Sequence, residues 1–177
     1  MPLIPFQDLP DHARLWTFAA SRRLTDQEAL PFLAATDEFL AGWTAHGAPL
    51  ATAREWRFDQ FLFVAVDEAT AGASGCSIDA LVRSVRALER DLEVTLTDNR
   101  PVWFRAPGGE IRCLSREEFQ RLVDAGAVGP DTVVFDNTIQ TVGALRDGSW
   151  EVPARRSWHG DVFLANVPLS REGRRQG

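Results

Sequence analysis

One short stretch of the chain brings together a thiol, two hydroxyls and a flexible backbone. It reads Ser-Gly-Cys-Ser-Ile-Asp over residues 74–79 and follows a loop of small residues. An amphipathic helical pattern comes directly after it, which places the stretch at a helix N-terminus. The unpaired backbone N–H groups there attract negative charge and favour a thiolate over a thiol. The candidate nucleophile is therefore Cys76, and the candidate ligand-binding residues are Ser74, Gly75, Ser77 and Asp79.

A histidine that activates Cys76 must come from another part of the chain. The predicted sheet brings the end of strand 61–66, which leads to Cys76, close to the residues that precede strands 14–20 and 51–58. His46, His12 and Asp67 are expected at that edge. A cysteine with a histidine in reach is the minimal activated nucleophile, and the amides of residues 74–77 could bind an oxyanion. Cys76 and His46 are thus the candidate catalytic pair for an acyl or other carbonyl-type substrate.

Structural roles also account for these residues. Cysteine is among the most buried residue types and usually packs as a small hydrophobe. A histidine beside a glycine commonly lies at a helix C-terminus, where it satisfies the last carbonyl groups. The carboxylates of Asp67, Glu68 and Asp79 lie close in sequence and oppose a thiolate at Cys76. These considerations predict a buried, slowly reacting Cys76.

The elements that must position these residues are four strands and two helices. Alternating or wholly apolar runs predict strands at 14–20, 51–58, 61–66 and 101–105. Thr25-Asp-Gln-Glu28 has the form of a capping box, and the helix behind it is predicted to end near His46. The order β-α-β-β-α-β is typical of a ferredoxin-like, split βαβ sheet with both helices on one face. Its strands are expected in the order 4-1-3-2, with strand 61–66 inside the sheet.

The pattern changes after residue 106. Ser115-Arg-Glu-Glu118 is a second capping box and opens a short helix, and residues 132–135 form a further predicted strand. So short a piece has little core of its own, so we expect it to pack on the first domain through Trp150 or Trp158. The sequence therefore predicts an α+β protein with a ferredoxin-like domain at 1–106, a small α+β segment at 107–165 and a flexible tail at 166–177.

The composition excludes several functional classes. A net charge of −6 and a pI near 5.1 argue against nucleic-acid binding, and no apolar run is long enough to span a membrane. All 19 basic residues are arginine and tyrosine is absent, which excludes P-loop and Schiff-base lysines and a tyrosine nucleophile. The 2 cysteines and 3 histidines show no metal-ligand spacing, so we expect no metal and no cofactor. Unpaired cysteines favour a cytoplasmic location.

One helix face carries regularly spaced cations. Arg83, Arg86 and Arg90 repeat on the outer face of the helix that follows Cys76. Such a face is usually solvated and ion-paired, and Asp79 stands four residues before Arg83. The alternative is a patch for an anion or an acidic partner.

Two resemblances add to this interpretation. Residues 113–135 (Cys-Leu-Ser-Arg-Glu-Glu-Phe at their start, Pro-Asp-Thr-Val-Val-Phe at their end) resemble a GYF-like module, which implies a peptide-binding role. The run Ala-Gly-Ala-Ser-Gly-Cys-Ser-Ile-Asp, residues 71–79, is similar to a family of small uncharacterised bacterial proteins, some of them labelled transporter ATPases. A chain without lysine cannot form the Gly-x-x-x-x-Gly-Lys-Ser/Thr loop that this label implies.

The leading interpretation is a non-catalytic binding or regulatory module with an unknown protein or small-molecule partner. It rests on the lack of a catalytic motif or cofactor fingerprint and on the resemblance to an interaction module. The alternative is a Cys76-dependent enzyme. A third hypothesis is homo-oligomerisation through the exposed sheet face, because Trp56 lies on a predicted edge strand.

Overall fold

The computed structural model describes residues 3–69 and 71–165. The fold is α+β, as the sequence predicts, and all paired strands are antiparallel. The predicted tail at 166–177 lies outside the described residues. The elements in chain order are β1 (Arg14–Ala19), α1 (Asp26–Ala41), β2 (Thr44–Ala45), β3 (Ala48–Pro49), β4 (Ala51–Arg57), β5 (Phe61–Asp67), α2 (Gly75–Leu92), β6 (Val102–Arg105), β7 (Ile111–Leu114), α3 (Arg116–Asp124), β8 (Val133–Phe135), α4 (Val142–Arg146), β9 (Glu151–Pro153) and α5 (Trp158–Phe163), with 3-10 turns at Phe6–Asp8 and Ala154–Arg156.

Contacts divide the chain into two compact units. Among the described residues, the first comprises 3–69 and 71–99 together with Asn137–Trp150, and the second comprises Arg100–Asp136 and 151–165. This division differs from the predicted boundary at 106, because the chain leaves the first unit, returns to it and leaves again. A boundary inferred from a change of local pattern cannot detect such a return.

The sheet of the first unit has β5 at its centre. β1 and β4 pair with β5 on either side, so the order is β1-β5-β4. The six residues from Phe61 to Val66 are all 0% exposed, which explains their wholly apolar sequence. The predicted interior position of strand 61–66 is confirmed. Phe58 and Asp59, both with positive φ, make the tight β4–β5 turn that the sequence predicts.

Both long helices cover one face of this sheet, as predicted. Phe32 and Leu40 of α1, with Leu81 and Val85 of α2, share one core with alternate strand residues such as Val64. The capping box predicted at the start of α1 is present in full. The predicted end of this helix is wrong: α1 stops at Ala41, and Gly42 caps it. The chain then forms the β2–β3 hairpin, so His46 (φ 51°) lies at a hairpin turn and not at a helix end.

The segment Asn137–Trp150 covers the opposite face. The indole ring of Trp150, the last residue of this segment, packs edge-on against the rings of Phe61 and Phe63, each at a centroid distance of 4.9 Å. These two phenylalanines point away from the helices, because alternate residues of a strand face opposite sides. The expected packing of Trp150 against the residues of the first domain is therefore confirmed.

The predicted fourth strand of this sheet is wrong. Residues 102–105 form β6, which belongs to a second sheet with the order β7-β6-β8-β9. Gly108 and Gly109 (φ 104° and 89°) allow the tight turn that brings β7 back along β6. Within the described residues, no strand therefore occupies the position beside β1 that the split βαβ topology assigns to strand 101–105.

The second unit has its own core between its sheet and α3. Phe104 of β6, Phe119 of α3, Val134 of β8 and Phe163 of α5 are all nearly inaccessible to solvent. The predicted capping box is present, because Ser115 and Glu118 exchange both hydrogen bonds at the start of α3.

Candidate functional site

The predicted ligand-binding residues Ser74, Gly75, Ser77 and Asp79 lie together in the first turns of α2. The hydroxyl groups of the two serines are used within the helix cap. Ser74 Oγ accepts from the backbone N–H of Ser77 at 3.2 Å, and Ser77 Oγ donates to the Ser74 carbonyl at 2.8 Å. Trp43 Nε1 donates to the Ser77 carbonyl at 2.9 Å and ties this turn to the chain that follows α1. These hydrogen bonds explain the serines structurally, while Gly75 and Asp79 are exposed.

The predicted catalytic pair is not joined by a hydrogen bond. Cys76 is a free, exposed cysteine in the first turn of α2, so the expectation that it is buried is wrong. It is exposed because it lies on the outer side of α2, whereas its neighbour Ser77 faces the core. His46 is exposed at the β2–β3 turn, and within the described residues no hydrogen bond or ion pair links it to Cys76. His12 does reach the predicted sheet edge, where its Nε2 lies 3.7 Å from Asp67 Oδ1.

A different site lies along the outer edge of β1. A cavity of about 400 Å³ opens there, within the range of small-ligand sites. Residues 14–18 of β1 form its floor, Val82 and Arg86 of α2 with Thr97 and Asn99 form one wall, and residues 137–140 form the other. We call this cavity the β1-edge groove. It occupies the side of β1 where the predicted fourth strand does not pair.

The outer backbone edge of β1 is paired near both of its ends and unpaired between them. The N–H of Leu15 donates to the Gln140 carbonyl at 2.8 Å, and the N–H of Ser21 donates to the Thr95 carbonyl at 2.9 Å, both away from β5. Because strand residues alternate their N–H and C=O groups between the two edges, Thr17 and Ala19 present theirs to the same outer side. In residues 3–69 and 71–165 these outward groups have no hydrogen-bond partner.

Two side chains in the groove also lack partners for polar atoms. Thr17 is 6% exposed, and its Oγ1 is buried without a hydrogen bond; Nδ2 of Asn137 is buried and unpaired as well. Both residues line the groove. An unpaired buried polar group costs about 1–3 kcal/mol of stability, so polar groups in native proteins usually have a partner. The β1-edge groove thus contains hydrogen-bond donors and acceptors that have no partner.

Both walls of the groove are held in place by hydrogen bonds. Glu89 of α2 accepts from the backbone N–H groups of Leu96 and Thr97 at 2.6 and 2.5 Å, which fixes the wall near Thr97. On the other wall, the carbonyl of Gln140 accepts from the backbone N–H of Leu15 at 2.8 Å. These contacts order the site before a ligand arrives, which lowers the entropic cost of binding.

The groove carries positive charge in a protein whose net charge is −6. Arg14 and Arg86 line it, and none of its described lining residues is acidic. Arg14 lies 3.7 Å from Glu68 beyond the groove, with its guanidinium 4.8 Å from the ring centre of Trp16. Arg86 is exposed and, within the described residues, makes no ion pair or hydrogen bond. An anionic group in the groove would therefore meet an arginine available to bind it.

The second unit contains one strongly perturbed histidine. His159 is 1% exposed, stacks on Trp158 at 3.8 Å and lies 2.9 Å from Ser157 Oγ through Nδ1. Burial lowers its pKa to about 4, Asp136 opposes this shift and Arg116 adds to it. The imidazole is therefore neutral at pH 7 and serves as part of an aromatic core.

No metal centre or membrane span is found in the part of the chain that the structure describes. Its His, Cys, Asp and Glu side chains form no group of three or more that could hold a metal ion. None of its helices is both long and apolar enough to cross a membrane. The chain matches no family model, no curated protein and no solved structure.

Sequence reasoning did not identify the β1-edge groove. Its lining comes from four separated stretches of the chain, and no local motif joins them. One signal was available: Thr17 is the only polar residue within Leu15-Trp-Thr-Phe-Ala19, an otherwise apolar run. The arginine repeat on α2 gave a second signal, since Arg86 belongs to it.

Proposed function

We propose that this protein is a non-catalytic binding or regulatory module and that its ligand occupies the β1-edge groove. One observation carries the proposal: Thr17 and Asn137, which both line one cavity, have polar side-chain atoms without hydrogen-bond partners. A ligand with matching donors and acceptors recovers hydrogen bonds that the free protein lacks. Binding through such groups is selective, since a ligand without them leaves the protein's groups unpaired.

Other features support the same proposal without depending on it. The resemblance of residues 113–135 to a GYF-like module points to an interaction role, and we propose a partner-binding role for the second unit on that basis. The two helices on one face of an antiparallel sheet support a ferredoxin-like relationship for the first unit, with the fourth strand missing from the sheet. Neither Cys76 nor Cys113 is in a disulfide in the described part of the chain, which supports a cytoplasmic location.

The second candidate is a Cys76-dependent enzyme for acyl or other carbonyl-type substrates. The exposure of Cys76 at the start of α2 favours it, because a nucleophile must be reachable by its substrate. Within the described residues no hydrogen bond joins Cys76 and His46, and this argues against the enzyme. Turnover of model thioesters and activated esters by the wild type but not by Cys76→Ala would establish the enzyme.

The binding proposal is tested by nuclear magnetic resonance titration. Short capped peptides and small carboxylic acids are added to the labelled protein, and backbone shifts are mapped. We expect the largest shifts at Thr17 and Asn137, which line the groove. Val82→Trp narrows the groove and should abolish them, whereas Arg83→Trp, on the exposed side of the same helix, should not. Shifts confined to other surfaces, or none at all, would contradict the proposal.

A further inference from the structure

We propose that the ligand of the β1-edge groove is a small monocarboxylate with an apolar body. This inference rests on the proposed function above and names the chemical class of the ligand. Its first support is the kind of polar atom that the groove leaves without a partner. Asn137 Nδ2 and the guanidinium of Arg86 can only donate hydrogen bonds, and the hydroxyl of Thr17 can also donate. A ligand that pairs with these atoms must supply acceptors, and an ionised carboxylate supplies acceptors only.

The charge of the groove selects a single negative charge. Arg14 and Arg86 are its two charged lining residues. The guanidinium of Arg14 lies 3.7 Å from the carboxylate of Glu68, so its charge is partly balanced within the protein. Arg86 is exposed and, in the part of the chain that the structure describes, has no ion pair or hydrogen bond. One guanidinium is therefore available, and it matches one carboxylate through two parallel hydrogen bonds.

Apolar side chains lie on the floor and on both walls of the groove. Trp16 is on the floor, Val82 on the α2 wall and Ile139 on the opposite wall. All three are half-buried, so each leaves apolar surface that a ligand can cover. An apolar body placed between the walls removes this surface from water together with its own, which favours binding. An anion without such a body gains only the contact with Arg86.

The size of the groove limits the ligand to a small molecule. A volume of about 400 Å³ lies near the lower end of the range for small-ligand sites, about 300–1,000 Å³. The walls do not separate freely, because Gln140 is hydrogen-bonded to Leu15 and Thr97 is hydrogen-bonded to Glu89. The groove therefore fits an acid with a short chain or a single ring.

The experiment separates charge from apolar contact. Matched small molecules are titrated into the full chain and followed by nuclear magnetic resonance. Hexanoate carries both features, hexanamide keeps the body without the charge, acetate and inorganic phosphate keep a negative charge without the body, and hexylamine reverses the charge. We expect hexanoate to shift Thr17, Val82 and Ile139 and to bind about threefold to fivefold more tightly than hexanamide, a range typical of an exposed charge pair. Acetate, phosphate and hexylamine should not shift these residues.

Protein variants test each contact. Arg86→Gln should weaken hexanoate to the level of hexanamide and leave hexanamide unchanged. Arg83→Gln, exposed on the same helix and outside the groove, should change neither. Ile139→Ala should weaken both ligands by about threefold or more, because both lose the same apolar contact. Ile78→Ala is the matched control, since Ile78 is half-buried on α2 and does not line the groove.

Three results would overturn this inference: equal affinity for hexanoate and hexanamide, binding of acetate or phosphate as tight as that of hexanoate, or an unchanged hexanoate affinity in Arg86→Gln. The proposed binding function survives such a failure if hexanamide or a capped peptide still shifts the groove residues and Val82→Trp abolishes those shifts. If no probe shifts the groove residues, the inference and the proposed function both fail.

Discussion

The indole N–H of Trp150 donates a hydrogen bond to Oδ1 of Asn137 at 3.0 Å. This bond joins the core of the first unit to a wall of the β1-edge groove. The ring of Trp150 packs on Phe61 and Phe63, and Asn137 lines the groove with its Nδ2 unpaired. The orientation of the Asn137 amide is therefore set by the core beneath it, which leaves its N–H group for a ligand.

A double-mutant cycle on this pair measures the coupling. Trp150→Phe keeps an aromatic ring over Phe61 but removes the donor, and Asn137→Ala removes the acceptor. We expect a coupling energy of about 1 kcal/mol in the free energy of unfolding, the usual net value of one hydrogen bond. Chemical denaturation of the four proteins provides the measurement. Purely additive effects would show that the bond does not contribute to stability.

Thr17→Val should stabilise the free protein and weaken ligand binding in the groove. Valine has nearly the same shape as threonine and removes a buried hydroxyl that has no partner in the free protein. We expect the free energy of unfolding to rise by up to about 1 kcal/mol while the groove's affinity for its ligand falls. The matched control is Thr52→Val in β4, where the buried hydroxyl donates to the Leu40 carbonyl at 3.4 Å, so the same change should bring no gain. A destabilised Thr17→Val protein would contradict this account of the groove.

The comparison of sequence with structure shows where local patterns suffice. The capping boxes at Thr25 and Ser115, the apolar run at 61–66 and the tight β4–β5 turn follow from short-range chemistry, and each is confirmed. The order of strands and helices along the chain does not determine which sheet strand 102–105 joins. This strand forms a hairpin with β7, which follows it closely in sequence, and the β-α-β-β-α-β pattern does not include that pairing. The groove could not be predicted for the same reason, because it lies on the side of β1 that the predicted topology assigned to strand 101–105.

His159 should make the protein sensitive to mild acid. Its folded pKa is about 4 and its unfolded value is 6.5, so below pH 6.5 the unfolded chain binds a proton that the folded chain does not. The stabilising contribution is complete above pH 6.5 and is lost as the pH falls to about 4, by up to about 3 kcal/mol. We expect His159→Gln to remove this part of the pH dependence in chemical denaturation. His12→Gln, whose parent side chain is 73% exposed, is the control and should change little. If the free energy of unfolding depends on pH in the same way in the wild type and in His159→Gln, His159 is not the source of the acid sensitivity.

Cys76 should react as an accessible thiol without help from a histidine. Because it is exposed and Cys113 is half-buried, we expect iodoacetamide to modify Cys76 first in the folded protein. Its rate should be the same in the His46→Ala variant, since no contact joins the two side chains in the described residues. Cys113→Ser provides the background, and mass spectrometry identifies the modified residue. A rate that falls sharply in His46→Ala would favour the enzyme over the binding module.

Amide hydrogen exchange at β1 tests the central claim most directly. Trp16 and Phe18 direct their N–H groups to β5, whereas the N–H group of Thr17, which lines the groove, points to the outer side of β1 without a partner. We predict that the Thr17 amide exchanges faster than those of Trp16 and Phe18 in the free protein. Saturation with a ligand that gives groove shifts in the titration should then slow the exchange of Thr17 strongly, with little change at Trp16 and Phe18. Strong protection of Thr17 in the free protein, or no change when the ligand binds, would contradict a ligand that occupies the β1-edge groove.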